Sequence, residues 1–365
     1  MNILYISSKK RWGGVTSWMD ITAKGLKNKG HSVWILSHPN SKYNEIVNFP
    51  DSVISAKLGM NYNPITIVKI VFLIKKYNID LLVTNIDKEV AIGGIAGRLC
   101  KIPNIRRIGR EDDFSNKPRK IWNHKHLVDK SIVPCNYIRD KIIHKYSYLN
   151  KSDFTTIYNG RNISTFTDED IFRLKNLWKV KKDEQIIGMT CQLLKIKYVE
   201  HLIQAFSTIS DINPLWKLVI TGEGPEKQNL LKLVKQLDLE KKVVFAGFSD
   251  TPLLNASAYD IGVLTSKLEG FPNSIVEYFS AGKPVIATNV GGNSEIVRDS
   301  VNGFLIPFGD IHILSEKLSL LINNLKLRNE MSKQATLTIE TNFTEDKMID
   351  ELEKYFLKTI YTEDV

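Results

Sequence analysis

Two carboxylates, Glu269 and Glu277, flank a Phe-Pro-Asn-Ser turn in the string EGFPNSIVEYFSAGKPVIATNVGG, which runs from Glu269 to Gly292. Pro272 followed by Asn273 and Ser274 is helix-starting chemistry, IVEYFSA reads as a short amphipathic helix, and Gly282 with Pro284 ends it before the strand PVIAT. The unpaired N–H groups of such a first turn, at the positive end of the helix dipole, suit a phosphate. Carboxylates do not bind phosphate, but they accept hydrogen bonds from hydroxyls. One anion-binding turn framed by two acids therefore suits a ligand with a sugar at one end and a ribose at the other, which is a nucleotide-sugar. The spacing also has a second explanation. Ser274 and Glu277 form the S-x-x-E pattern of a capping box, which would make Glu277 a helix-stabilising residue with no ligand. The residues by themselves leave both readings open.

The whole string resembles the signature of the retaining glycosyltransferases of family 4, in which a Glu, seven residues and a second Glu surround an F-P-x-S/A-like turn. By that resemblance Glu269 lies near the transferred sugar, with the backbone of Gly270, Phe271, Pro272 and Asn273 orienting it. Glu277 holds the ribose, and the amides near Ser274 and Ile275 stabilise the departing diphosphate. The segment TCQLLKIKYVEHLIQAF, Thr190 to Phe206, resembles the family's strand-loop-helix carrying Arg, Leu, three residues and then Lys-Gly. Lys197 matches the Lys and is, with Glu269, the implied catalytic pair. Gln192 stands in the donor site where Arg is usual, and Cys191 and Tyr198 stand where Gly is usual. TGEGPEKQNL, containing Gly222, resembles the G-x-G-P turn that borders the nucleotide, and GFSDTPLL, containing Phe248, resembles the loop against which the base packs. Gly13 and Gly14 follow the first strand and precede a helix, so their amides can approach an anion closely; the resemblance turns this loop toward the donor phosphate, at Gly14, or the acceptor, at Gly13. Where many relatives carry a His near the donor sugar, this chain has Gly109 and Arg110.

These loops need a scaffold of strands. The first half alternates NILYIS, SVWILS, LLVTN, NIRRI, SIVPC and FTTIY with helical segments such as VTSWMDITAKGLKNKG. A second series follows the turn dipeptide Asn159-Gly160: QIIGMT, WKLVITG, VVFAGF, DIGVLT, PVIAT and GFLIP. The alternation predicts an α/β chain of two Rossmann-like doubly wound domains, residues 1–160 and 161–344, with ligand loops at the carboxyl ends of the strands and a cleft between the halves. The resemblance implies the GT-B fold, with the helical segment 345–365 crossing back to the first domain.

A chain of 365 residues with 43% hydrophobic content suits two globular domains. The apolar run at the start, MNILYISSKK, is too short for a signal peptide, and ITIVKIVFLIKKY (Ile65 to Tyr77) is interrupted by Lys69 and ended by Lys75 and Lys76, so no span is expected. Cys100, Cys135 and Cys191 lack disulfide or zinc spacing, and a reducing cytoplasm fits them. The formal net charge of +10 is uneven: residues 1–160 hold 26 Lys and Arg against 12 Asp and Glu, while residues 161–365 hold 24 against 28. Such a first half is attracted to anionic surfaces. Motifs for nucleic acid are missing, which leaves that partner resting on charge alone. Arg106, Arg107 and Arg110 head the densest basic stretch, which continues through Lys117, Arg119, Lys120, Lys125 and Lys130 with Trp122, His124 and His126; it is expected to meet a phosphorylated, membrane-bound acceptor or to be a solvated face. The two histidines lack metal-ligand spacing, and the family resembled needs no metal, so neither metal nor cofactor is expected beyond a nucleoside-diphosphate-sugar, UDP in first place.

The expected activity is retaining transfer of a hexosyl or N-acetylhexosaminyl group from nucleotide-sugar to a glycan or lipid-linked saccharide. The setting is bacterial surface polysaccharide synthesis (O-antigen, capsule or lipopolysaccharide) at the inner face of the cytoplasmic membrane. Two competitors stand beside it: a GT-B-like epimerase or phosphorylase, and a catalytically impaired nucleotide-sugar-binding subunit, the latter motivated by Gln192 and the missing His.

Overall fold

The computed structural model describes residues 1–11, 13–46 and 52–361. The chain divides into two compact units, Met1–Asn159 with Glu345–Val365, and Gly160–Thr344. In the first unit the strands are β1 (Asn2–Ser7), β2 (Ser32–Ser37), β3 (Val53–Ser55), β4 (Leu81–Thr84), β5 (Asn104–Arg107), β6 (Lys130–Val133) and β7 (Phe154–Thr156). Among the described residues they form one parallel sheet in the order β3-β2-β1-β4-β5-β6-β7. β1 is almost wholly buried because both of its faces are covered. Ile3 and Tyr5 join Trp18, Met19 and Leu26 on one side, and Leu4 and Ile6 join Ile70, Leu73 and Ile92 on the other. The helix Glu345–Tyr361 seals the first of these faces with Met348, Ile349, Leu352 and Phe356. Residues 362–365 of the expected terminal helix lie outside the described residues.

The second unit holds β8 (Gln185–Thr190), β9 (Trp216–Thr221), β10 (Val243–Gly247), β11 (Ile261–Leu264), β12 (Val285–Thr288) and β13 (Gly303–Ile306), all parallel, in the order β10-β9-β8-β11-β12-β13. Both orders reverse at a switch point, between β1 and β4 in the first unit and between β8 and β11 in the second. In open α/β sheets the loops that leave the carboxyl ends of such strands diverge and leave room for a ligand.

The helix Asn273–Ser280 is clamped over the second switch point by its own tyrosine. Tyr278 lies against Gly262 of β11, where a Cβ would stand 2.4 Å from its ring, and its hydroxyl accepts the Thr190 N–H at the end of β8 (2.7 Å). Gly262 is therefore required by close approach, and the helix that carries Glu277 is fixed relative to both switch strands.

Candidate functional site

Beyond β8 the chain passes through Cys191, Gln192 and Leu193 into the tight turn Lys195–Lys197. Two backbone contacts fix this loop. A Cβ on Gly222 (φ +133°) would lie 1.8 Å from the Cys191 carbonyl oxygen, and one on Gly224 2.3 Å from that of Leu193. The G-x-G-P turn thus owes its glycines to backbone packing against the loop that leads to Lys197. From the opposite side, Thr265 at the end of β11 places its hydroxyl 3.0 Å from the Lys197 carbonyl oxygen and 2.9 Å from that of Tyr198, and Lys267 N–H donates to Ile196 O (2.9 Å). Tyr198 sits in the left-handed region (φ +47°), the conformation that explains a Gly at this position in the family pattern. Its ring packs at 4.9 Å from His201 and 4.7 Å from Phe308, which offsets a backbone cost of roughly 1–2 kcal/mol.

So held, Lys197 meets Glu269. Its Nζ lies 2.5 Å from Oε1 of Glu269, and the two side chains are 21% and 10% exposed. The pair joins the loop after β8 to the loop after β11, across the switch point. Glu269 is placed in turn by the glycines at the end of its string: a Cβ on Gly291 (φ +60°) would lie 2.0 Å from the Glu269 carbonyl oxygen, and Gly292 N–H donates to Gly270 O (2.9 Å). The pair is partly open to solvent. A lysine ammonium resting on a carboxylate can turn to a phosphate, whose denser negative charge competes for it, and leave the carboxylate free to accept from sugar hydroxyls.

The capping-box explanation for Glu277 does not hold. Pro272 is the cap residue of the helix, Asn273 its first residue, and Ser274 and Glu277 both lie inside it; no side chain caps its start. Ile275 N–H turns back to Pro272 O (3.0 Å), and the Ser274 N–H meets no acceptor among the described residues. Glu277 is buried and pairs with Arg161, also buried, at 3.4 Å. Burial pushes the Glu277 carboxyl up, and Arg161 opposes this by charge and hydrogen bonding. The carboxylate is therefore more enclosed than the sequence implies, and Arg161 is a partner that sequence reasoning missed. The signal was an arginine next to the turn Asn159-Gly160, which reads as a domain boundary. Of the other residues expected at the donor, Phe271 is buried, Gln192 is exposed at the head of its loop, and Phe248 is half-exposed after β10.

In the first unit Gly14 opens the helix Gly14–Asn28, and Gly13 precedes it in extended backbone (φ 175°), its N–H donating to Thr16 Oγ1 (2.8 Å). The basic stretch needs correction. Arg106 is 1% exposed at the end of β5, its guanidinium bonded to Asn85 O (3.2 Å) and Asp113 O (3.0 Å) and lying 4.7 Å over the Phe114 ring. It is an internal strut and cannot touch a membrane. Arg107 is also buried and cannot reach a membrane surface, but its guanidinium lies 5.1 Å over the Trp18 ring. Burial draws its pKa down to about 10, against the pull of Asp113. Arg110 is exposed and pairs with Asp112 (2.8 Å). Charge counting could not separate these three, since β5 carries Arg106 and Arg107 into a sheet covered on both faces. Sequence reasoning also passed over Glu89, fully buried at the first switch point, which accepts from Ser8 N–H (2.6 Å), Ser8 Oγ (2.7 Å), Asn85 N–H (3.0 Å) and Ile86 N–H (3.1 Å) and so ties the ends of β1 and β4 together.

Comparison with known proteins agrees with this arrangement. The family model for glycosyl transferases group 1 matches residues 170–338, and that for glycosyltransferase family 4 matches residues 12–165. N-acetyl-alpha-D-glucosaminyl L-malate synthase of Bacillus anthracis is 28% identical over 205 residues, 56% of this chain and 53% of that protein. Poly(ribitol-phosphate) alpha-N-acetylglucosaminyltransferase of Staphylococcus aureus is 26% identical over 195 residues, 52% of this chain and 40% of that protein, so the chain spans about half the length of these relatives. UDP-Gal:alpha-D-GlcNAc-diphosphoundecaprenol alpha-1,3-galactosyltransferase of Escherichia coli is 28% identical over 312 residues, 81% of this chain and 79% of that protein. The crystal structure of Anabaena HepE in complex with UDP shares the fold, with a TM-score of 0.85 at 21% identity over 98% of this chain and 100% of that one. With two parallel doubly wound sheets, the Lys197–Glu269 pair at a switch point and both family models matched in order along it, the chain belongs to the group 1, family 4 glycosyltransferases of the GT-B fold.

Proposed function

We propose that this protein is a retaining glycosyltransferase that moves a sugar from a nucleoside-diphosphate-sugar to an acceptor of bacterial cell-surface polysaccharide synthesis. The observation that carries the reading is the Lys197–Glu269 pair beside the start of the Asn273–Ser280 helix. In this reading the donor diphosphate lies against the Ser274 N–H and draws Lys197 onto its oxygens, and Glu269, released, accepts from hydroxyls of the sugar. Glu277, held by its hydrogen bond from Arg161, accepts from the ribose. The bond between C1 of the sugar and the diphosphate oxygen breaks, the acceptor oxygen bonds C1 on the same face, and its proton passes to the departing diphosphate. Lys197 and the helix amide stabilise the charge that grows on the leaving group, a contribution made mainly in the transition state. The chain's own cations do this work, so no metal is called for.

UDP is the proposed nucleotide, on the strength of fold neighbours solved in complex with UDP and with UDP-glucose. The relatives are named for malate, poly(ribitol-phosphate) and a diphosphoundecaprenol glycan. All three are anionic, and Arg107, a buried cation beside the Gly13-Gly14 helix start, supports an acceptor carrying a negative group. A lipid-linked glycan at the inner face of the cytoplasmic membrane is the proposed acceptor. A second reading, a nucleotide-sugar-binding subunit with weak turnover, is favoured by one observation: Gln192 brings no charge to the loop at the position where the family pattern it resembles has Arg.

Incubation with a panel of UDP-, GDP- and ADP-sugars tests both. Release of nucleoside diphosphate from one donor, and an unchanged anomeric configuration in the product by proton NMR, is the expected result. Binding without release identifies the subunit, and inversion at C1 removes the retaining mechanism.

A further inference from the structure

The helix Pro64–Lys76 presents two apolar faces where a surface helix has one. Its inner face is ordinary: Ile67, Ile70, Leu73 and Ile74 are buried against β1, β2 and β4. Its outer face carries Ile65, Val68 and Phe72, exposed by 79%, 67% and 61%, and Met60, 82% exposed, stands just before the helix. Residues 65, 68 and 72 follow an i, i+3, i+7 pattern and so line one stripe. On the same wheel Lys69 and Lys76 border the stripe on one side and Lys75 on the other, all three exposed. From Ser52 to Ile79 the chain has four lysines and no acidic residue. The turn that leads into the helix is fastened to a second basic helix, Pro118–Leu127, by Tyr62 donating to Asn123 Oδ1 (2.5 Å), and that helix exposes Trp122 with Lys117 and Lys125.

Large apolar side chains in a row, lysines on both flanks, a nearby exposed tryptophan and no acids are the features of a helix lying in a bilayer interface. Thirteen residues are too few to cross one. We infer that the Ile65–Val68–Phe72 face is the surface by which this protein docks on an anionic lipid bilayer, with the apolar stripe entering the headgroup region and Lys69, Lys75 and Lys76 meeting lipid phosphates. The inference rests on the proposed lipid-linked acceptor, and it moves the membrane contact away from Arg106 and Arg107. A second copy of the chain fits this face less well, because its lysine rows would oppose their own kind.

Co-sedimentation of the full chain with phosphatidylglycerol-containing vesicles, and with neutral phosphatidylcholine vesicles, tests it. Wild type should bind the anionic vesicles with a salt-sensitive preference. Replacing Ile65, Val68 and Phe72 together with Ser removes exposed side chains only, so the fold should stand, and partitioning should fall by about tenfold or more. Replacing Lys69, Lys75 and Lys76 with Gln should erase the preference for anionic lipid, at about fivefold per lysine. Donor hydrolysis without vesicles should match wild type in both variants. Wild-type partitioning by the Ser variant, absence of vesicle binding by wild type, or a concentration-dependent dimer abolished by the Ser variant would each overturn the inference. Absence of vesicle binding by wild type with its donor hydrolysis intact removes the docking surface alone, whereas vesicle binding by wild type with no donor turnover removes the transferase reading alone.

Discussion

One added methyl group at Gly291 should disable the site without altering any group assigned to the donor. The Cβ of Gly291→Ala would stand 2.0 Å from the Glu269 carbonyl oxygen and 2.7 Å from its carbon, where 3.0 Å is the closest approach real Cβ atoms make. The obstacle is backbone, so no side-chain rotation relieves it, and the Gly292 to Gly270 hydrogen bond pulls the two segments together against the strain. The Glu269 loop must therefore retreat by about 1 Å. Misplacement of a reacting group on that scale costs about a hundredfold in rate, or about 2.7 kcal/mol of barrier. A left-handed alanine (φ +60°) adds roughly 1–2 kcal/mol of lost stability. Gly30→Ala is the matched comparison, since Gly30 has φ +85° with nothing within 4 Å of its Cβ. Steady-state release of nucleoside diphosphate, measured with thermal denaturation on the same samples, should show both variants less stable and only Gly291→Ala slow, by about a hundredfold in kcat. Turnover by Gly291→Ala within about twofold of wild type would refute the claim that this loop must hold Glu269 where it is.

Other outcomes follow from the same geometry. Arg107→Gln should raise the KM for an anionic acceptor by about tenfold or more while donor hydrolysis stays unchanged, since a charge-assisted hydrogen bond contributes about 1.5–3 kcal/mol; an effect on donor KM instead would reassign the residue. His124 is buried against Phe114 and Phe154, and burial, aided by the charge of Arg106, draws its pKa from 6.5 to about 4. The unfolded chain thus binds the proton first, so the contribution of neutral His124 is complete above about pH 6.5 and is lost as pH falls toward 4, by up to about 3 kcal/mol. Urea denaturation at pH 7 and pH 4.5 should show that loss in wild type and a smaller one in His124→Phe; parallel losses would contradict it. Exhaustive treatment with EDTA should leave nucleoside diphosphate release unchanged, and a loss restored by a divalent cation would overturn metal-independent transfer.

What could be read from the chain divides by the range of the cause. Strands such as NILYIS and QIIGMT are local apolar runs because parallel strands are covered on both faces, so they stand out in sequence; β3, three residues long and only partly buried, does not. Glu269 and Lys197 were legible as single residues, the second through resemblance, but their 2.5 Å contact joins positions 72 apart and is a product of the switch point. Arg161 and Gly291 escaped for the same reason, each acting on a residue brought near only by the fold. Arg106 and Arg107 were misplaced because composition records charge and not burial, and the Ser274–Glu277 spacing misled because the helix begins at Asn273, before Ser274, so that Ser274 lies inside it and cannot cap it.

The most direct test is a double-mutant cycle on the pair itself, with nucleoside diphosphate release measured for wild type, Lys197→Gln, Glu269→Gln and the double variant. Each single change should lower the rate by about 10- to 100-fold, and the double variant should be little worse than the weaker single, a coupling of about 1–3 kcal/mol. Single variants that turn over at the wild-type rate, or losses that simply multiply, would contradict a shared role for Lys197 and Glu269 at the donor.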